Sequence, residues 1–281
     1  MSVVFFSAYR NHENSRIEAN NAMMAMLAGS RLAEHMLSLT SGSKRLLPEI
    51  FPAVQHVDRM NLRVDSARVL LSEAEKHLSA MAVPYTLALH EDYVVTCLKL
   101  LQRASLINSQ GVKAASPKNM HQKFEAAAGA SLSPISVEQF NFLRLLRNAI
   151  IHAGGLPSSD LMDCTTNFTE VGAEHWERLT GIRPDALVTA GNKITLQQGE
   201  LVAALAVTKS LADQINVGLQ SALPREVWAD LLCEEFEMEL GDKHKHMNQR
   251  LRKLPGYARQ HFGVLRFSKQ ELEKAAQRAT W

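Results

Sequence analysis

The hydrophobic positions along this chain recur mostly at intervals of three and four residues, the spacing that gathers side chains on one side of a helix. Residues 14–39 read as a helix with Ile17, Met24, Leu27 and Met36 on its apolar side, ended by Ser41-Gly-Ser43. A shorter helix precedes Pro52. Residues 58–81 read as a long helix with Leu62, Val69 and Leu70 inside. Pro84 is placed to open the next helix, which runs through Leu87, Val94, Leu98 and Leu101 to Ile107. Residues 108–119 read as a polar loop, 120–128 as a short helix and 129–134 as a break. Ser136 then suits an N-cap, and the helix it opens stops after Ala153 at Gly154-Gly155-Leu-Pro157. Residues 156–190 look irregular, with one helical turn near 174–179, and Lys193-Ile-Thr-Leu196 alternates like a short strand. Residues 199–219 form a long apolar helix, Pro224 opens another that Gly241 ends, and 242–254 and 268–278 are two more. The sum predicts an all-α fold with at most a short β element.

Composition narrows this further. With 46% hydrophobic and 21% charged residues the chain can fill a core and is not disordered. Its 281 residues suit one large domain or two to three small ones. No uncharged apolar run approaches the ~20 residues of a membrane-spanning helix. The apolar start, Met1 to Tyr9, has no basic lead and soon meets Arg10, Glu13 and Arg16, which argues against a signal peptide. Three scattered cysteines, Cys97, Cys164 and Cys233, make neither a disulfide framework nor a zinc pattern, so a reducing cytoplasm is the expected compartment. No phosphate-binding glycine loop is present, so no cofactor is expected. Lys243-His-Lys-His246 sets its two histidines on different helix faces and reads as a basic solvated segment rather than a metal site.

Net charge is only +2, but it is unevenly spread. Residues 221–240 hold six acids against one base, and residues 241–281 hold ten bases against three acids. Arg250, Arg252, Lys253 and Arg259, interleaved with Tyr257 and Phe262, suit phosphate contact and base stacking on RNA. The same bases suit docking on the acidic helix that precedes them, in cis or on a partner.

The helix around residues 136–153 shows a second asymmetry. With Arg144 at 0° and about 100° per residue, Asn141, Asn148 and His152 fall near 60°, 40° and 80°, and Arg147 near 300°. Phe142, Leu143, Leu145, Leu146, Ala149, Ile150 and Ala153 fill the opposite side. One face is core; the other gathers two Arg, two Asn and one His, with Val137, Phe140 and Ile151 in or beside it. Such a stripe either faces water or faces a partner or cleft.

Arg147-Asn-Ala-Ile-Ile-His152, followed by Ala-Gly-Gly, has the form R-N-x3-H. This resembles the signature of the HEPN superfamily. The apolar run before it, the glycine turn after it and the helix at 199–219 agree with that family over residues 84–220. The resemblance divides the chain into an N-terminal helical region (1–82), a HEPN-like helical domain (83–221) and a C-terminal helical region with a basic tail (222–281). It implies a helical bundle that forms a homodimer through its motif helices, and metal-independent cleavage of RNA. His152 would serve as acid or base, Arg147 would stabilise charge on the phosphorane, Asn148 would orient imidazole or phosphate, and Arg144 would contact RNA. Arg147 and His152 lie about 140° apart on one straight helix, so a two-fold pair would complete the site. The family further implies a toxin or antiphage-defence role held in check by an antitoxin or other regulatory protein. The alternative within the family is a catalytically silent module that dimerises and binds nucleic acid or protein.

Overall fold

A computed structural model describes residues 3–59, 61–243 and 246–279. His244 and Lys245 of the Lys243–His246 segment lie outside the described residues. The described chain is all-α. Its α-helices are α1 (Ser7–Ser38), α2 (Leu47–Ile50), α3 (Val64–Ser72), α4 (Ala74–Arg103), α5 (Ser109–Lys113), α6 (Met120–Ala128), α7 (Pro134–His152), α8 (Ser159–Thr166), α9 (Glu170–Thr180), α10 (Pro184–Leu187), α11 (Gln198–Ala222), α12 (Arg225–Leu240), α13 (Met247–His261) and α14 (Lys269–Arg278). None of these is long and apolar enough to cross a membrane.

Several boundaries differ from the sequence pattern, each for a physical reason. Residues 58–81 are not one helix: a 3-10 turn at Val57–Arg59, α3 and the start of α4 share that stretch. Val64 and Ala67 take the buried positions, whereas Leu62, Val69 and Leu70 are exposed. Pro84 sits inside α4 rather than opening a helix. Buried Ala82, Val83, Leu87, Val94, Leu98 and Leu101 line one face across the proline, and that packing outweighs the bond it cannot donate. Pro255 is likewise inside α13. Helix α7 starts at Pro134, which needs no hydrogen bond there, so Ser136 is no cap; its hydroxyl lies 3.2 Å from that of Ser210.

The stretch 156–190 is helical, not irregular. Ser158 caps α8, Thr169 caps α9, Gly181 closes α9 in a left-handed conformation, and Pro184 begins α10. No strand is found among the described residues, only an isolated antiparallel bridge between Leu46 and Arg63. Ile194 and Leu196 do turn inward. The segment finds no neighbouring strand to pair with, and Ile194 donates its N–H to Gly155 at 2.9 Å.

The chain forms two compact units. The first comprises residues 1–15, 87–141 and 206–281. Its core joins Phe6 edge-on to Trp228 at 5.5 Å, with Tyr93 and Phe262 beside them. Burial raises the Glu235 carboxyl above the ordinary range, and it accepts the Ser7 N–H at 2.7 Å. Tyr9 donates to Asp213 at 2.6 Å. The core also holds a buried histidine pair, His90 and His121, whose Nε2 atoms lie 2.9 Å apart. Phe140 packs against both rings, and His12 stacks on Tyr93 beside them. The second unit comprises residues 16–86 and 142–205. Its centre is Trp176, met edge-on by Phe142 at 4.9 Å. A smaller cluster of Leu37, Val64 and Ala67 is covered by α2 and Leu71.

The histidine pair makes folding sensitive to acid. Burial pulls the His121 imidazole down to about 4 and His90 well below its ordinary value. An unfolded chain protonates both near pH 6.5, so the folded state binds fewer protons in that window. The pair's contribution is full above about pH 6.5 and is lost as pH falls toward 4, about 3 kcal/mol for His121 alone. The buried carboxyls of Glu200 and Glu235 act in the opposite sense. The informative measurement is therefore a difference: chemical-denaturation stability of His121→Gln should fall less steeply than wild type between pH 6.5 and 4. Identical slopes would refute the assignment.

Candidate functional site

Helix α7 carries the motif, and its rotation is set by what it buries. Phe142, Leu143, Leu145, Leu146 and Ala149 are in the core, as the helical wheel requires. Phe140 is 1% exposed; it belongs to the core rather than to the polar stripe beside which the wheel placed it. Arg144, Arg147 and Asn148 are half-buried, and His152 is exposed as the last helical residue. Ile151 beside it is also exposed.

The turn after the motif is tightly specified. Gly154 and Gly155 have φ of +60° and +89°, which residues with a Cβ rarely adopt. The Gly155 N–H reaches back six residues to the Ala149 carbonyl at 2.9 Å, closing the helix end. The Gly155 carbonyl accepts from Ile194, and a Cβ at Gly155 would lie 3.3 Å from the Ile194 oxygen. The glycine pair thus stops α7 at His152 and ties that end to the segment before α11.

Arg147 donates to Asn148 Oδ1 at 3.4 Å, a long bond. Its Nε is buried without a hydrogen-bond partner, and Arg147 makes no ion pair among the described residues. No hydrogen bond joins Arg147 to His152 among the described residues. One copy of the helix therefore offers a cationic group and an exposed imidazole that are not assembled on each other.

The basic candidates of α13 divide into two kinds. Arg250 is buried and holds Glu237 with both nitrogens, at 2.8 and 2.9 Å. It is a structural ion pair with a buried arginine and a half-exposed carboxylate. Arg252, Lys253 and Arg259 are exposed, and α13 contains no acidic residue. The seven-residue spacing puts Arg252 and Arg259 on one face, about 20° apart, and Lys253 lies about 100° round the helix from Arg252. Tyr257 and Phe262 are buried, so neither ring is presented for stacking on a base, contrary to the sequence expectation. The acids of α12 are largely used in cis: Glu237 by Arg250, Asp230 by Arg278 at 2.5 Å, Glu234 by Arg103 at 2.6 Å. Part of the C-terminal basic charge is thus neutralised by the preceding helix, as the charge pattern allowed.

The histidine pair had no sequence signal: His90 and His121 are 31 residues apart and each looks like an isolated histidine on an apolar helix. A cleft of about 590 Å³ adjoins His121, between the turn at Pro117 and the first half of α7. Among the described residues no three His, Cys, Asp or Glu side chains are placed to share a metal ion.

No protein-family model, no curated protein and no solved structure matches this chain.

The contrast on α13 has a direct consequence for stability. Arg250→Ala removes the partner of half-exposed Glu237 and empties a buried volume, and should cost about 2 kcal/mol in a urea titration. Arg252→Ala, Lys253→Ala and Arg259→Ala should each stay within about 0.5 kcal/mol of wild type. Equal losses across all four would contradict the placement of Arg250.

Proposed function

We propose that the end of α7 is half of an RNA-cleaving site that a second copy of the chain completes, making the protein a metal-independent endoribonuclease of HEPN type. The observation that carries this reading is the motif's presentation. R-N-x3-H ends α7, a two-glycine turn holds that end, His152 is open to solvent, and Arg147 keeps an unpartnered buried Nε. A guanidinium without a carboxylate partner is available for a phosphate.

In the proposed reaction the RNA 2′-OH attacks the adjacent phosphorus. His152 removes the 2′ proton, and His152 of the partner subunit protonates the 5′ oxygen as it leaves. The products are a 2′,3′-cyclic phosphate and a 5′-OH end. Arg147 supplies positive charge where the phosphorane becomes more negative, and Asn148 orients it through the bond described above. Arg144 lies on the same stripe as a further phosphate contact. Arg252, Lys253 and Arg259 extend the basic surface; Arg250 does not, because Glu237 holds it. The resemblance to the HEPN superfamily extends the proposal to a toxin or antiphage-defence role under control of an inhibitory partner.

The test is cleavage of a structured RNA in EDTA by wild type, Arg147→Ala and His152→Ala. Wild type should cut and leave cyclic phosphate ends, and each variant should fall at least about a hundredfold. His152→Ala should keep its melting temperature, since the ring is exposed. Mixing the two variants should restore little activity, because a mixed pair keeps only one of the two His152 side chains that the reaction uses. RNA binding without cleavage in wild type would select the catalytically silent module instead.

A further inference from the structure

Helix α1 is apolar on two sides, and only one of them is buried. Ala19, Met23, Leu27 and Leu37 face the core. A second stripe, Ala25, Ala28, Leu32, Met36 and then Leu39 just past the helix end, is exposed, with Leu32 at 66% and Leu39 at 78%. From residue 19 to 38 the only full charges are Arg31 and Glu34, and neither lies on this stripe. Arg31 turns to Glu75, 3.5 Å away.

The apolar surface continues beyond α1. Met26 and Gly29 border a groove of about 480 Å³ whose other wall is Leu70 of α3 with Ala74 and Leu78 of α4. Met81 and Tyr85 prolong the α4 wall, one turn apart and 64% and 52% exposed. The exposed parts of these large side chains amount to on the order of 800 Å², above the ~300–600 Å² of the largest patch on an ordinary monomer. It matches the ~800 Å² that each partner contributes to a standard-size interface.

The order of residues says what covers it. The stripe is spaced three, four, four, three, symmetric about Leu32. Two such helices laid antiparallel about a two-fold axis at Leu32 set Ala25 opposite Leu39 and Ala28 opposite Met36. Each small residue then meets a large one, and Leu32 meets its own copy. That is the self-complementarity an isologous contact needs. A lipid surface would instead call for bases flanking the apolar face, and α1 offers one arginine there, already paired.

We propose that this face of α1, α3 and α4 is the interface with a second copy of this chain, paired antiparallel through Leu32. The inference does not rest on the RNA-cleaving reading. Arg147→Ala and His152→Ala are expected to leave this association unchanged.

Sedimentation of the full chain across micromolar concentrations tests it. Wild type should associate, and Leu32→Glu or Met36→Glu should raise the dissociation constant at least about a hundredfold, with circular dichroism confirming that each stays folded. In a Cys164→Ser background, Leu32→Cys should oxidise to a covalent dimer, because residue 32 meets itself. Ala25→Cys should cross-link only when mixed with Leu39→Cys. A monomeric wild type, a Leu32→Glu chain that associates as wild type does, or association only on phosphatidylglycerol vesicles would each overturn the proposal. So would a dimer dissolved by the α7 variants but not by Leu32→Glu.

Discussion

The rest of this structure depends on how α7 is anchored. Phe140 packs on the His90–His121 pair, and Phe142, two residues on, meets Trp176 edge-on. Both rings are fully buried, and the leucines that follow them are buried too. A helix held at successive turns cannot rotate about its axis without emptying a core site, at a cost of several kcal/mol. That fixes which side of α7 remains for Arg144, Arg147, Asn148 and His152. The chemistry of the motif is thus a by-product of packing: the polar stripe is what remains after the aromatic and leucine faces have been buried.

The end of the helix is governed just as closely. Two left-handed glycines and one backbone bond from Ile194 stop α7 beside His152. The extended segment at 193–196 serves as a brace for that turn rather than as a strand. Its inward Ile194 and Leu196 alternate as a strand would, but a lone extended segment has no ladder to join. Charge follows a similar rule. The acidic stretch on α12 and the basic stretch after it look in sequence like two opposed fields. In the fold, Glu237 and Asp230 of α12 are engaged by Arg250 and Arg278, whereas Arg252, Lys253 and Arg259 of α13 stay exposed.

The helical content, the glycine stop after the motif, the short α6 and the range of α14 were legible because each depends on neighbours within a few residues. The capping signals at Ser158 and Thr169, with Gly181 and Pro184, were present too, but short helices with few apolar positions are masked by their polar residues. Helix α4 was misread at Pro84 because the apolar face that carries it through the proline becomes evident only when the packed core is seen. The same holds for residues 58–81, where apolar side chains occur on more than one face and the pattern alone chose the exposed set.

What the sequence by itself determined is therefore local: an all-α chain, the ends of a few helices such as α6, α7 and α12, and a motif of arginine, asparagine and histidine on one helix stripe. These follow from backbone sterics, capping and a helical period that need no distant partner. What only the tertiary structure decided is which of several equivalent faces each helix buries. It placed Arg250 inside with Glu237 and left Arg252 outside, brought His90 to His121 across 31 residues, and left a second apolar face of α1 uncovered. Those outcomes depend on the summed burial of side chains remote in sequence, and no local rule ranks one apolar face of a helix above another.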